Sequence, residues 1–267
     1  MHLLVDADSA LYKAGFSNEE RSWLVCDRET DTIIEQHRYK RDIPAHYLQD
    51  ESVILTQHST PGPLAHSISN LKGLCDSMLA IEHSSYEMFL TGPGNFRERV
   101  YEDYKIARRG APKPCHFDQL KDWMIKRHQA VVVEGEEADD RVSWEQCTSA
   151  HETCIVAIDK DLLNTPGWNY NYDKQILKEI SEEEANLNFG RQCLTGDPTD
   201  SIPGIQGIGP KRANKILPNL MPGWTDRIRD EYAKAYGEEG GDILLRNATL
   251  LWMRREPEQQ FEWGLVE

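Results

Sequence analysis

No stretch of the sequence approaches eighteen consecutive apolar residues, so a membrane-spanning helix is not expected. The opening MHLLVDAD turns acidic too soon for a signal peptide or an anchor, and a cytosolic location follows as the expectation. Paired cysteines are also lacking: Cys26, Cys75, Cys115, Cys147, Cys154 and Cys193 show no CxxC spacing. In a chain of 267 residues, long enough for its own core, that argues against a disulfide framework. Cys147, His151 and Cys154 could offer three zinc ligands on neighbouring turns, but a fourth ligand and the usual close cysteine pairs are missing. Positive charge is scarce too. With 45 acidic and 30 basic side chains the net charge is −15. Attraction to a phosphate backbone therefore needs a local basic surface. Part of the negative charge can instead be a deficit completed by bound cations, because clustered carboxylates without metal repel one another.

What is present, 39% hydrophobic and 28% charged residues, describes a folded soluble chain with one substantial core and a smaller lobe. His2 to Val5 reads as a short strand ending at Asp6 and Asp8, followed by a helix through Ala10, Leu11 and Tyr12. Residues 21–43 alternate enough to suggest a hairpin or a pair of edge strands. Leu64, Ile68, Leu71, Cys75 and Met78 recur as one buried helical face requires, with Pro61 and Pro63 marking the start. Tyr86 to Leu90 reads as a buried strand stopped by Thr91-Gly92-Pro93-Gly94. The aromatic and basic stretch from Phe96 to Arg109 follows, and Gly110, Pro112 and Pro114 break it. A helix from about Phe117 to His128, a strand at Ala130 to Val133, a helix from Ala138 to Ser149 and a strand at Thr153 to Ile158 complete the alternation. This pattern predicts an α/β domain with a mostly parallel sheet, whose ligand crevice lies beyond the carboxyl ends of its strands. Asp6, Thr91, Glu134 and Asp159 sit at such ends. The expected division is an α/β core over 1–180 and a helical lobe over 181–267.

Three acidic clusters carry the chemistry. Glu137, Asp139 and Asp140 open a helix; Asp159 and Asp161 follow a strand in alternating register; Asp197 and Asp200 lie within one turn. Singly, each is an ordinary solvated face. Together, at strand ends and joined by Asp6, they form the donor set that hard divalent ions such as Mg²⁺ or Mn²⁺ want, and two such ions can drive an in-line phosphoryl displacement. The segment Ile202-Pro-Gly-Ile-Gln-Gly-Ile-Gly-Pro-Lys-Arg-Ala-Asn-Lys-Ile216 reads as a glycine hairpin followed by a helix starting near Pro210. Gly204, Gly207 and Gly209 allow close approach to a phosphate, the helix start offers free amides, and Lys211, Arg212 and Lys215 add local positive charge. The plain alternative is a structural turn; the functional reading is a clamp on the backbone that ignores base sequence.

These segments resemble the 5′-nuclease family of flap endonucleases, polymerase-associated 5′ nucleases and phage 5′–3′ exonucleases, the last most of all. The matching stretches are Val5-Asp6-Ala-Asp8, Tyr104-Lys105-x-x-Arg108, Glu136 to Asp140, Asp159-Lys160-Asp161-Leu162, and Leu194 through Lys211, in an order that spans residues 2–217. The resemblance implies a PIN-like nuclease core and a helical lobe with a helix-hairpin-helix-like element. It implies two Mg²⁺ or Mn²⁺ ions, with Asp6, Glu137, Asp139 and Asp140 in the first metal region and Asp159, Asp161, Asp197 and Asp200 in the second. Lys105 and Arg108 would meet the scissile phosphate, Tyr104 would stack on a terminal base, and Gly204 to Lys215 would bind DNA and hold a potassium ion. Residues 97–126 correspond to the family's arch, where Arg97, Arg99, Lys105, Arg108, Arg109 and Lys113 suit phosphates. One departure stands out. Relatives usually carry aspartate where this chain has Thr91, and Asp8, where many have glycine, is the candidate compensating ligand.

The implied activity is structure-specific 5′–3′ exonuclease or flap endonuclease hydrolysis of DNA, in which an activated water attacks phosphorus and the 3′ oxygen leaves, giving 5′-phosphate products. Substrates would be read by shape, since nothing suggests a base-reading helix. Duplex 5′ ends, gaps, flaps and RNA–DNA hybrids are the candidates, with a role in DNA replication and no membrane partner. The chain looks like a stand-alone viral enzyme acting in a host cytoplasm. The competing readings are a noncatalytic DNA-end-binding module and a single-strand-specific ribonuclease. The Thr91 replacement speaks for the first, and the glycine hairpin speaks against the second.

Overall fold

The computed structural model describes residues 1–220 and 222–266. They form two compact units, each made of separate stretches of chain. The first comprises Met1–Ser9, Asp76–Pro112 and Met124–Glu267, and the second Ala10–Cys75 and Lys113–Trp123. Regular structure begins with β1 (His2–Asp6), α1 (Asp8–Phe16), β2 (Glu19–Asp27), β3 (Ile33–His37), β4 (Val53–Pro61), α2 (Leu64–Met78) and β5 (Ser85–Thr91). It continues through α3 (Phe96–Val100), α4 (Phe117–His128), β6 (Val131–Val133), α5 (Ala138–Thr148), β7 (Thr153–Val156), β8 (Gly167–Asn171) and β9 (Ile176–Ile180). The last part runs α6 (Glu182–Thr195), β10 (Gly196–Asp197), β11 (Ile202–Pro203), α7 (Pro210–Ile216), α8 (Trp224–Tyr236) and α9 (Gly240–Leu251).

The first unit is built on a six-stranded sheet in the order β6-β5-β1-β7-β8-β9. All neighbours are parallel except β9, which runs antiparallel to β8. The central strands are near-continuous apolar runs because both faces of a parallel sheet are covered. Leu4, Phe89, Val133 and Ile155, one from each of four adjacent strands, pack with Ala138 and Val142 of α5. From β1 the chain builds toward β5 and β6, whereas from β7 it builds away toward β8. This reversal beside β1 opens the crevice at the strand carboxyl ends in which such folds place their ligands. A second cluster in the same unit joins Phe189 to Trp252 and Phe261, with ring centroids 5.1 Å and 5.3 Å apart, and includes Tyr232 and Leu244 from α8 and α9.

The second unit contains an antiparallel sheet in the order β3-β2-β4, with a register shift between Val25 and Cys26. Val25, Ile43 and Val53 form a small cluster, with Trp23, Tyr47 and Leu55 packed against it. The hairpin expected within 21–43 is β2–β3, and β4 is a third strand that the sequence pattern did not reveal. The β8–β9 hairpin was also unforeseen, because β9 is exposed along most of its length. The basic stretch 96–109 is not one helix: α3 ends at Val100 and a single 3₁₀ turn covers Ile106–Arg108. No helix among the described residues is long and apolar enough to cross a membrane.

Candidate metal centre

The site occupies the carboxyl ends of β1, β5 and β7 and the start of α5, all within the first unit. Asp6 ends β1, buried, and its Oδ1 accepts the Asp8 amide at 3.2 Å. Burial, together with the charges of Asp8, Asp159 and Glu137, pushes the Asp6 carboxyl up to about 8. At the start of α5, ligand oxygens of Glu137, Asp139 and Asp140 all lie within 4.8 Å of one another. These three are not equivalent. Burial alone would raise Glu137, yet Lys105 and Arg97 hold it at about 2. Asp139 is raised well above the usual carboxylate range by burial, Glu137 and Asp140. Asp140 is fully buried and bound by the Arg97 guanidinium, whose Nη2 donates at 2.8 Å to Oδ1 while Nη1 donates to Oδ2.

A second group lies beyond β7. The Oδ1 of Asp159 accepts the Asp161 amide at 2.9 Å, and burial with the charge of Asp159 raises Asp161 to about 7. Lys160 Nζ sits 2.8 Å from Asp197 Oδ2 and 3.6 Å from Asp161 Oδ1. Burial would raise Asp197, but the Lys160 ammonium and the amides of Thr199 and Asp200 hold it low. Asp200 links the two groups: Lys105 Nζ stands 3.6 Å from its Oδ2 and Arg108 Nη2 3.4 Å from its Oδ1. Lys105 also donates to Glu137 Oε1, and its amide donates to Asp200 O at 2.8 Å. That grip holds Lys105 in the left-handed region, φ 53°, a conformation a non-glycine residue keeps only when its surroundings over-determine it.

The donor set fits hard divalent cations. It is all carboxylate oxygen, and Asp6 is buried, and Asp139 and Asp161 half-buried, beside like charges, an electrostatic deficit that a cation reduces. The thiols do not form a rival site. All six cysteines are free, and burial raises Cys147 to about 11 and Cys154 to about 12, against the thiolate that zinc requires.

Several expected residues do something else. Arg97 is 1% exposed and donates to Asp140 and to the carbonyls of Leu250 and Trp252 at 2.8 Å and 3.0 Å, so it is an internal counter-ion with no group left for DNA. That pairing also commits Asp140 to holding α3 against α5. Tyr104 is 3% exposed and donates its hydroxyl to Glu137 at 2.7 Å, leaving no free ring face for a base. Gly204 is a packing residue: an added Cβ would stand 2.1 Å from the Thr195 backbone. Gly207 has φ +81° and makes the hairpin turn, while Gly209 is open and caps α7. Lys211, Arg212 and Lys215 are exposed.

Gln192 and Lys160 were missed. Gln192 Nε2 donates to Asp161 Oδ1 at 2.8 Å while its Oε1 accepts from Asn164 at 2.6 Å, so it orients a carboxylate from a helix thirty-one positions away. No local pattern marks such a residue.

No family model matches the chain. Over 176 residues it is 27% identical to a flap endonuclease Xni of Shewanella piezotolerans, a match that spans 58% of this chain and 69% of that protein. Over 165 residues it is 29% identical to a 5′-3′ exonuclease of Aquifex aeolicus, spanning 54% of this chain and 56% of that one. The chain thus covers between 56% and 69% of these relatives' length. Its fold is similar to that of the phage T5 D15 protein co-crystallized with metal ions, with a TM-score of 0.52 at 16% identity over 70% of this chain and 81% of that one. In sequence the chain is thus similar to flap endonucleases and 5′-3′ exonucleases. Within the α/β fold, Thr91 has a defined structural task. Its Oγ1 accepts the Ala138 amide at 2.9 Å at the start of α5, and its own amide donates to Asp8 Oδ1 at 3.0 Å. Asp8 is thereby fixed beside Asp6.

Proposed function

We propose that this chain is a divalent-metal-dependent 5′ nuclease that hydrolyses DNA phosphodiesters at 5′ ends or flaps. The observation that supports this reading is that carboxylates from distant parts of the chain act on one another: Asp159 and Glu137 on Asp6, Asp159 and Asp197 on Asp161, and Glu137 and Asp197 on Asp200, beside Lys105 and Arg108. Asp6 and Asp139, with Glu137 and Asp8 beside them, would hold one cation; Asp159, Asp161 and Asp197 would hold a second. Bound there, Mg²⁺ or Mn²⁺ supplies Lewis acidity toward a phosphoryl oxygen and lowers the pKa of water.

The protein's own groups do the rest. Lys105 and Arg108 present positive charge toward the crevice, where phosphate charge grows during displacement. Arg108 is about half exposed and free to reach outward, whereas Lys105 is anchored by Glu137 and Asp200. Gln192 and the Asp161 amide keep two carboxylates oriented. The open Gly209, with exposed Lys211, Arg212 and Lys215, would hold the duplex backbone, and a potassium ion bound by carbonyls of the same hairpin belongs to this reading. Replication, a viral source and action on RNA–DNA hybrids are its finer consequences.

The test is incubation with 5′-labelled blunt, recessed and flap DNA and matched RNA, in Mg²⁺ or in EDTA. Release from the 5′ side should require Mg²⁺, and Asp161→Asn should keep DNA binding while losing turnover on the order of a hundredfold. Full activity in EDTA, or release only from 3′ ends, would reject the proposal. Binding of DNA ends without any cutting would instead favour a noncatalytic end-binding module.

A further inference from the structure

The second unit carries the densest basic run of the sequence. Residues 37–41 read His-Arg-Tyr-Lys-Arg, in a chain with 45 acidic and 30 basic side chains. In the structure this run leaves the end of β3 and enters a 3₁₀ turn over Lys40–Asp42. Arg38, Tyr39, Lys40 and Arg41 are exposed. Their acidic neighbours are partly engaged: Glu35 accepts from His37 and Tyr47, and Asp42 stands 3.7 Å from Arg41.

Beside this run is a cavity of about 360 Å³ whose lining includes Arg21, Trp23, Arg38, Tyr39 and Lys40 against a single carboxylate, Glu19. Glu19 already accepts the Cys115 amide. Arg21 is pinned with its guanidinium 3.4 Å over the Phe16 ring, and its buried Nε and Nη2 have no hydrogen-bond partner among the described residues. Nε stands 3.7 Å from Glu19 Oε2, a buried oxygen that likewise has no hydrogen-bond partner among the described residues, so the two form an ion pair. The cations that an external anion can reach are therefore the exposed Arg38, Lys40 and Arg41. Tyr39 supplies the other half of the recognition. Its ring is 46% exposed, with the Arg38 and Arg41 guanidinium carbons 5.4 Å and 4.7 Å from the centroid. Lys40 Nζ lies 5.2 Å from the Trp23 ring, which keeps the ammonium beside the cavity. Cations interleaved with an exposed aromatic face are what successive phosphates and bases of a single strand require.

We propose that Arg38, Tyr39 and Lys40 form a second nucleic-acid site, in which the cations hold a phosphate of single-stranded DNA and Tyr39 stacks on the adjoining base. The choice of DNA as ligand rests on the nuclease reading; the site itself uses no residue of the metal centre.

Fluorescence anisotropy of the whole chain with a labelled oligothymidylate, in EDTA so that nothing is cut, tests it. The double variant Arg38→Ala/Lys40→Ala should bind roughly tenfold more weakly, and its log-affinity against log-salt slope should be shallower by about 1.4, as two lost single-strand phosphate contacts require. Tyr39→Leu should weaken binding roughly fivefold with the slope unchanged, and Tyr39→Phe should bind like the parent. Unaltered circular dichroism and melting of each variant separate the effect from unfolding. Parent-like affinity and slope in the double variant, or no binding by the parent, overturns the site. The same proteins assayed for cleavage in Mg²⁺ keep the two readings apart. Cutting by the parent with no binding defect in the variants defeats this site alone, whereas the expected binding losses in a parent that never cuts defeat the nuclease reading alone.

Discussion

Lys160 shows what a single side chain can decide in a crowded acidic site. Its ammonium lies 2.8 Å from Asp197 and 3.6 Å from Asp161, the position a divalent cation shared by these carboxylates would contest. The side chain is two-thirds exposed, so the pair is screened and weak. Replacing it with a neutral chain of similar length, Lys160→Met, should raise divalent affinity by up to roughly fivefold, as expected for removing one exposed competitor. Calorimetric titration with Mn²⁺ in the absence of DNA reads this directly, and unchanged or weaker affinity would show that the lysine does not compete. Arg97 makes the opposite kind of contact. It is enclosed, its donors are spent on Asp140 and two carbonyls, and its charge is permanent.

At the scale of elements, the start of α5 depends on a residue from a different strand. The α5 N-cap, Glu137, pairs reciprocally with Asp140, but the Ala138 amide is taken by the Thr91 hydroxyl at the end of β5. Thr91→Val keeps the shape and removes the acceptor, which should destabilise the fold by about 1–3 kcal/mol through one unpaired helix-start amide. Thr91→Ser should restore most of it. Urea unfolding of the two variants beside the parent measures both, and equal midpoints for all three proteins would remove Thr91 from the capping role. The glycine segment follows similar logic. Gly196 has φ +68° and its Cβ position is 2.2 Å from the amide of Gly204, the residue after β11, so a side chain at Gly196 would collide with the backbone that closes the β10–β11 ladder.

Across the whole molecule, the acidic crevice should make stability depend on pH in the sense opposite to ordinary surface carboxylates. Asp6 and Asp161 are raised to about 8 and about 7, mainly by burial, so the folded state binds their protons more tightly than the unfolded chain does. Without metal their contribution is fully present below the unfolded carboxylate range and is lost as pH rises through 7 and 8. Glu137, held at about 2, acts only at the acid end, where its contribution disappears as pH falls. The melting temperature of the metal-free protein should therefore fall between about pH 5 and pH 8. Mg²⁺ should raise it more at the upper end, where the carboxylates are charged and metal binding no longer displaces protons. Asp6→Asn should flatten the metal-free dependence. Thermal denaturation across that range decides the matter, and a metal-free protein that melts higher at pH 8 than at pH 5 would contradict it.

Much of this protein could be read from its residues in order. Apolar strand runs ending in Asp6, Thr91 and Asp159, the acidic start of α5 and the glycine hairpin are local patterns, and the covalent chain alone sets them through periodicity and conformational freedom. The mostly parallel sheet followed from their alternation, because buried strands need helical crossovers. What remained hidden depends on contacts between distant positions. Nothing in the neighbourhood of Arg97 announces that Asp140 will absorb its charge, nor near Gln192 that it will orient Asp161. The strands β4 and β9 lie largely exposed, so their apolar signal is weak, and they take their form from the strands they pair with. Residue type and spacing determined which atoms could ligate a cation; only packing decided which of those carboxylates stay free to do so and which are already committed to an internal arginine or lysine.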